Sequence, residues 1–298
     1  MLSKLNRNRL RFAYLMIIPG FMLMAVFVFY PILYGLPLAF TNYSVVDEMK
    51  WVGWKNFDRA FKDPIFIKSI WNSLIYLIVV PIIQLISILM AILVNNRLRG
   101  VQFFRVAYFV PVVTSMVAAA IAWRWMFQGN GILNYLLQSA GLIGKPISYL
   151  AEADVALFAI MCVTVWKGLG YYMMIYLAGL QSIPSEMQEA ARIDGAGRAK
   201  VIWYITIPLL KPFVLLCSLI SMMSAIRVFD EVYVMTAPLP GAPFNATMTS
   251  AVYTYEKAFR DFDFGYAAAL GLIVSLIVMV ISIIMFKYGR KGGMSYYG

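Results

Sequence analysis

The sequence contains no histidine and only two cysteines in 298 residues. Without histidine the chain cannot assemble a Ser-His-Asp or Cys-His catalytic set, and it cannot bind a metal through imidazole. Both cysteines, Cys162 and Cys217, lie in apolar stretches, which predicts small buried side chains rather than a disulfide or a redox pair. The sequence also lacks a G-x-x-x-x-G-K-[ST] phosphate-binding loop. We therefore predict a protein that is not an enzyme, with no catalytic residues, no metal site and no cofactor of its own.

Charged residues are scarce as well. They make up 13% of the chain, whereas hydrophobic residues make up 62% and the mean hydropathy is +0.77. Soluble domains are about 45–50% apolar and about 25% charged, and a chain of this length cannot bury so large an apolar excess in its own core. We predict an all-α polytopic membrane protein. Six apolar runs are long enough to cross about 30 Å of hydrocarbon: 13–37, 69–95, 105–127, 154–182, 208–229 and 264–286.

The net charge of the chain is +11, and its basic residues are divided unevenly between the two sides of the membrane. With six spans, 14 Lys and Arg residues fall on the side of the two termini, and eight fall on the opposite side. Basic residues accumulate on the cytoplasmic side of membrane proteins. We therefore predict that both termini are cytoplasmic, and we expect no nucleic-acid partner.

Two loops differ from ordinary connections. The outer segment 41–68 mixes charges with aromatic residues, which predicts a short interfacial helix or a lid. In the inner segment 183–208, Ser185 stands three residues before Gln188, the spacing of a capping box at a helix start. Helix formers then continue until Gly195 offers a stop. This pattern predicts a short amphipathic helix between two membrane spans.

The inner segment carries a longer motif. Glu189-Ala190-Ala191 is followed after three residues by Gly195, and after nine more by Ile205-Thr-Ile-Pro208. The pattern resembles the E-A-A-x3-G-x9-I-x-L-P signature of permease subunits of binding-protein-dependent ABC importers, with Ile207 where leucine is usual. Other segments place the resemblance in the carbohydrate branch, which includes the maltose and glycerol-phosphate permeases: 51–57, 103–111, 122–127, 177–184 and 262–269.

The resemblance implies a type I ABC importer permease fold in a bacterial or archaeal cell membrane. Residues 69–286 would form the transmembrane core, preceded by the tail, first span and outer loop of 1–68 and followed by a cytoplasmic tail, 287–298. The implied partners are a second permease subunit, two cytoplasmic ATPase subunits that bind ATP and magnesium, and an extracytoplasmic solute-binding protein. The second permease would be a different chain, although the sequence leaves a homodimer open.

The resemblance also implies how the chain contacts the ATPase. The helix within 183–208 would be the coupling helix. Glu189 would meet a basic residue of the ATPase, Ala190 and Ala191 would allow close approach, and Gly195, next to Asp194, would let the chain turn sharply.

Polar and aromatic residues near the middle of the fourth and fifth runs are the candidates for a substrate path. A lysine at that depth is energetically costly, so Lys167 is a candidate for substrate binding. The alternative is that its side chain snorkels to the interface or meets a backbone carbonyl. The resemblance adds sugar-contacting positions, and tyrosine and serine suit sugar binding because they supply an aromatic face and hydroxyls. The candidate residues are Trp166, Lys167, Gly168, Tyr171, Ser221 and Ser224.

The sequence leaves two other functions open. The same machinery could import glycerol-phosphate or an acidic sugar instead of a neutral one. An ion-coupled secondary carrier would need acidic residues or histidine within the membrane, whereas Asp154, Asp230 and Asp263 are expected only at outer span ends. We therefore expect an ATP-driven sugar importer subunit.

Overall fold

The computed structural model describes residues 2–45, 48–95 and 100–291. These residues are mostly α-helical, and among them the backbone forms two isolated β-bridges and no β-strand, which confirms the predicted all-α fold. The α-helices are α1 (Leu2–Met24), α2 (Tyr30–Leu38), α3 (Lys55–Lys62), α4 (Pro64–Ile75), α5 (Val79–Val94), α6 (Val101–Val113), α7 (Met116–Met126), α8 (Ile132–Ser139), α9 (Ala153–Gln181), α10 (Ser185–Ile193), α11 (Arg198–Val201), α12 (Ile207–Leu209), α13 (Lys211–Ile226), α14 (Asp230–Met235), α15 (Ser250–Phe259) and α16 (Phe264–Lys291).

Three irregular helical segments join neighbouring helices. π-helical turns at Ala25–Phe29 and Ile202–Thr206 connect α1 to α2 and α11 to α12, and a 3₁₀ turn at Tyr76–Ile78 connects α4 to α5. Within the described residues, four helical stretches are long and apolar enough to cross a membrane, and there are six if each of two bent pairs counts as one span. The four continuous stretches are Arg9–Leu38, Pro64–Val94, Ala153–Gln181 and Phe264–Lys287.

The third run, 105–127, is not one straight span as predicted. It is broken between α6 and α7, whose axes differ by 98°. Thr114 and Ser115 have extended backbone at the break, with ψ angles of 141° and 135°. Pro111 in the last turn of α6 has no N–H to continue the helical hydrogen bonds. The Thr114 hydroxyl instead donates to the Pro111 carbonyl oxygen at 2.7 Å.

The fifth run, 208–229, is bent as well. The stretch Arg198–Leu209 meets α13 at an angle of 62°. Pro212 lies in the first turn of α13, a position at which the missing N–H costs nothing because it has no partner inside the helix. The straight helix of this run therefore begins at Lys211.

The backbone divides into two compact units. One contains the residues up to Lys62 together with Thr254–Ile273. In this unit α3 confirms the short helix predicted within 41–68. Asn56 holds α3 in place because its amide nitrogen donates to the carbonyl oxygens of Ala39 at 2.9 Å and Thr41 at 2.8 Å. The rings of Trp51, Trp54 and Phe57 pack around the ring of Phe40.

The other unit contains Asp63–Tyr253 and the residues from Val274 onwards. At its centre α9 packs against α5 and α6. Gly170 permits the contact with α6, because a Cβ atom at this position would lie 2.0 Å from the carbonyl oxygen of Tyr108. Cys217 is buried in this unit as predicted, but Cys162 is exposed, because it lies on a face of α9 that no other part of the unit covers.

We expect Gly170→Ala to lower the free energy of unfolding by about 3 kcal/mol or more, because the added methyl group cannot fit without moving α6. The matched control is Gly271→Ala in α16, where a Cβ atom meets nothing within 4 Å. Alanine favours a helix over glycine by about 0.5–1 kcal/mol, so the control should be neutral or stabilising. Thermal unfolding of the purified complex measures both variants. Equal midpoints for the two would show that the contact with α6 is not close.

Candidate functional site

A cavity of about 400 Å³ lies among α5, α9, α13 and α14. α9 contributes one face, since Thr164, Lys167, Gly168 and Tyr171 recur at intervals of three and four residues. Five of the six candidate path residues line this cavity: Lys167, Gly168, Tyr171, Ser221 and Ser224. Their role in substrate transport stays a prediction.

Trp166, the sixth candidate, does not line the cavity. Its ring packs edge-on against the ring of Trp123 on α7, with centroids 5.5 Å apart. Successive residues of a helix point about 100° apart, so Trp166 can face α7 while Lys167 faces the cavity. Trp166 therefore connects α9 to the bent third span.

Lys167 contacts backbone carbonyls at the break in the third span. Its Nζ atom lies 3.0 Å from the carbonyl oxygen of Pro111 and 2.5 Å from that of Thr114. The last carbonyls of a helix have no partner within the helix and form the negative end of its dipole, so an ammonium group is favourable there. The structure thus shows the carbonyl contact that the sequence left open for Lys167. Its role in the substrate path stays a prediction.

Glu231 is the acidic residue of the cavity, and the sequence did not predict it there. Thr164 Oγ1 donates to Glu231 Oε1 at 2.8 Å, and the Tyr76 hydroxyl lies 2.5 Å from Thr164 Oγ1. Since Thr164 uses its proton on Glu231, Tyr76 is the donor in the second bond. α14 brings the carboxylate to this position by packing against α7 and α9. Glu231 lies just beyond the predicted fifth run, 208–229, and outside the candidate spans.

The surroundings of Glu231 alter its acidity. α14 lies outside the candidate spans, but Glu231 is partly buried. Burial raises the pKa of the Glu231 carboxyl above its usual range, and the charge of Asp230 adds to this effect. The hydrogen bonds that the carboxylate accepts and the Lys167 ammonium group oppose the shift.

A second polar network supports Ser221. Gln84 Nε2 donates to Ser221 Oγ at 2.8 Å, and the Tyr176 hydroxyl donates to Gln84 Oε1 at 2.5 Å. Ser221 Oγ in turn donates to the Cys217 carbonyl oxygen at 2.8 Å. The proton of Ser221 is therefore engaged within α13, whereas Ser224, one turn further along, is exposed. Gln84 could have been noticed in the sequence as a single amide within an apolar run.

The predicted inner helix is confirmed as α10. It ends as expected, because Gly195 has a φ of +82°, a conformation that glycine adopts without steric cost. The Ala196 N–H donates to the Ala191 carbonyl oxygen at 2.9 Å and closes the end of the helix. The predicted capping box is wrong, because Pro184 occupies the N-cap position and Ser185 is already helical.

The surface of α10 is accessible. Glu189, Ala190 and Asp194 are exposed, and Ala191 is partly buried. Ile193 stands out, since 86% of its surface is accessible. A short helix with a carboxylate, two small residues and an exposed apolar side chain can dock against another protein. Elsewhere in the described part of the chain, no three His, Cys, Asp or Glu side chains come together as a metal site requires.

Comparisons with known proteins agree with this architecture. The family described as the binding-protein-dependent transport system inner membrane component matches residues 84–291. The lactose transport system permease protein LacF of Rhizobium radiobacter is 36% identical over 282 residues, which cover 93% of this chain and 94% of that protein. The arabinooligosaccharides transport system permease protein AraP of Halalkalibacterium halodurans is 32% identical over 274 residues, covering 91% of this chain and 85% of that protein.

A solved structure shares the fold. It is a bacterial ABC transporter involved in the import of the acidic polysaccharide alginate, whose matching chain is 22% identical and superposes with a TM-score of 0.82 over 98% of this chain and 99% of that one. The chain belongs to the family of inner membrane components of binding-protein-dependent transport systems, and it is a multi-pass protein of that membrane.

Proposed function

We propose that the chain is a permease subunit of an ATP-driven importer and forms part of the path for a sugar or oligosaccharide delivered by a solute-binding protein. The observation that carries the proposal is the meeting of Tyr171, Ser221 and Ser224 in one cavity between α9 and α13. An aromatic face and hydroxyl groups are the features that sugars require. Two relatives, the permease proteins of a lactose and of an arabinooligosaccharides transport system, support the same substrate class.

In this proposal α10 is the coupling helix. Its exposed Glu189 meets a basic residue of the ATPase, and the small side chains of Ala190 and Ala191 let the two proteins approach closely. Gly195 and Asp194 turn the chain away from the interface. The chain itself is not an enzyme: the partner ATPase subunits bind ATP and magnesium and supply the energy.

The working complex contains a second permease subunit, a different chain, together with two ATPase subunits. An extracytoplasmic solute-binding protein delivers the sugar to the outer face. Residues 69–286 act as the transmembrane core of this subunit, with 1–68 and 287–298 as its N-terminal region and its tail.

The side of the membrane on which the two termini lie can be tested with reporter fusions. The excess of Lys and Arg on the side of the termini places both termini in the cytoplasm. A reporter that is active only in the cytoplasm should therefore be active when fused after Gly298, and one that is active only outside should be inactive there. A fusion after Lys145, in the loop before α9, should give the opposite pattern. If the Gly298 fusion were active outside, α10 could not meet a cytoplasmic ATPase.

Uptake by the reconstituted complex tests the function. Proteoliposomes that contain both permeases and the ATPase subunits are given the binding protein and a panel of radiolabelled di- and trisaccharides that includes lactose. We expect uptake of at least one sugar that depends on ATP and on the binding protein and is unaffected by ionophores. Uptake sustained by a proton or sodium gradient without ATP would instead indicate an ion-coupled carrier.

A further inference from the structure

The charged side chains of the cavity differ in how many of their hydrogen-bond donors or acceptors are still unused. Its lining contains two charged side chains, Lys167 and Glu231. An ammonium group has three N–H donors. Those of Lys167 point at the end of α6, with the carbonyl oxygens of Pro111 and Thr114 at 3.0 and 2.5 Å and that of Val112 at 3.5 Å. The ammonium group of Lys167 is thus held by backbone carbonyl oxygens of the protein itself.

The Glu231 carboxylate keeps acceptor capacity. A carboxylate has about four lone-pair positions. Its own backbone N–H and the Thr164 hydroxyl are two of its hydrogen-bond donors. The chain of hydrogen bonds from Tyr76 through Thr164 fixes the direction of the carboxylate, so that its remaining positions can accept hydroxyl groups of a solute in the cavity.

Glu231 also lies where two cavities meet. A second cavity of about 450 Å³ shares Ser224 and Glu231 with the first, and Arg227 and Asp230 line it as well. Ser224 and Glu231 thus line both cavities. A solute in either cavity can therefore come close to the carboxylate.

We propose that Glu231 is a substrate-binding residue that accepts hydrogen bonds from the hydroxyls of an uncharged sugar and disfavours sugars that carry a carboxylate or phosphate. This inference rests on the proposed function and narrows its substrate class. Hydrogen bonds from hydroxyls to a carboxylate are stronger than those between neutral groups. An anionic sugar, by contrast, meets a like charge, and the donors of the nearby Lys167 are already engaged.

The test measures the charge preference of the cavity without requiring the transported sugar. Ser224→Cys is introduced into a chain whose Cys162 and Cys217 are replaced by alanine, and the complete transporter is studied in proteoliposomes. Two methanethiosulfonate reagents of similar size, one with a trimethylammonium group and one with a sulfonate group, modify the thiol. The ratio of their two rates, divided by the ratio for a free thiol in solution, reports the electrostatic potential at residue 224, because the reactivity of the thiol itself cancels.

We expect the cationic reagent to be preferred on the order of tenfold, since a unit charge several ångströms away acts strongly in a partly buried site. Adding Glu231→Gln, which keeps the size of the side chain, should abolish this preference. Asp230→Asn removes the same charge from the adjacent residue, which does not line the first cavity, and should leave most of the preference in place. Tyr171→Cys is a second reporter on α9 if Ser224→Cys does not assemble.

Three results would overturn the proposal. They are an equal rate ratio with and without Glu231→Gln, an equal loss of preference in Asp230→Asn, and no reaction of either reporter in a complex that transports. A charge preference in a complex that imports no sugar would leave the electrostatic effect of Glu231 standing and refute the proposed function, on which the sugar-binding role rests. The two failures are therefore distinguishable.

Discussion

We expect Glu189→Lys to abolish ATP-driven uptake while the permease is still inserted in the membrane. Glu189 is exposed on α10, so the substitution buries nothing and breaks no contact within the fold. It places a positive charge against the basic ATPase residue proposed to meet it, and a like-charge contact at an interface costs several kcal/mol. The measurements are uptake by proteoliposomes and the amount of ATPase that copurifies with the permease.

The matched control is Glu186→Lys, which makes the same charge change one turn earlier on α10. It should retain most of the copurified ATPase and of the uptake. If Glu189→Lys transported normally, or if both variants were impaired equally, Glu189 would not be the specific contact of the coupling helix.

The second large effect is expected for Lys167→Met. This change removes the donor that meets the carbonyl oxygens of Pro111 and Thr114 at the break between α6 and α7. Leaving such groups without a partner costs about 1–3 kcal/mol, and the bend of the third span should loosen. We expect a lower unfolding midpoint of the complex and a strong loss of uptake for neutral and acidic sugars alike.

Two variants separate this role from direct substrate binding. Lys145→Met removes an exposed lysine outside the cavity and should change neither measurement. Lys167→Arg keeps the charge and the donors and should restore part of the stability. Unchanged stability together with a loss confined to acidic sugars would show that Lys167 binds the substrate instead of supporting the bend.

The sequence predicted the features that depend on local pattern. The lengths of the apolar runs predicted the four continuous membrane-length helices. The helix formers after Pro184 and the stop at Gly195 predicted α10 and its end. The spacing along α9 gave the face that carries Lys167, Gly168 and Tyr171, since residues three and four apart lie together on any helix.

The sequence did not predict features that depend on distant segments. The break at Thr114 and Ser115 was missed because an uninterrupted apolar run looks the same whether the helix is straight or bent at a proline. The sequence allowed a backbone carbonyl as the partner of Lys167 but could not identify Pro111 and Thr114, because these carbonyls become available only at the break. Glu231 lies outside the six predicted spans, and its place in the cavity follows from the packing of α14 against α9, whose Thr164 is 67 residues away in the chain.

The central claim is that the transported sugar passes through the cavity among α5, α9, α13 and α14. Photoaffinity labelling tests it most directly, with a diazirine derivative of a sugar that the complete complex imports and with excess unlabelled sugar as the competitor. We predict label on the peptides that contain residues 164–172 and 220–231, and we predict that the competitor removes it. Label confined to the second permease subunit, or label that the competitor does not remove, would contradict the account.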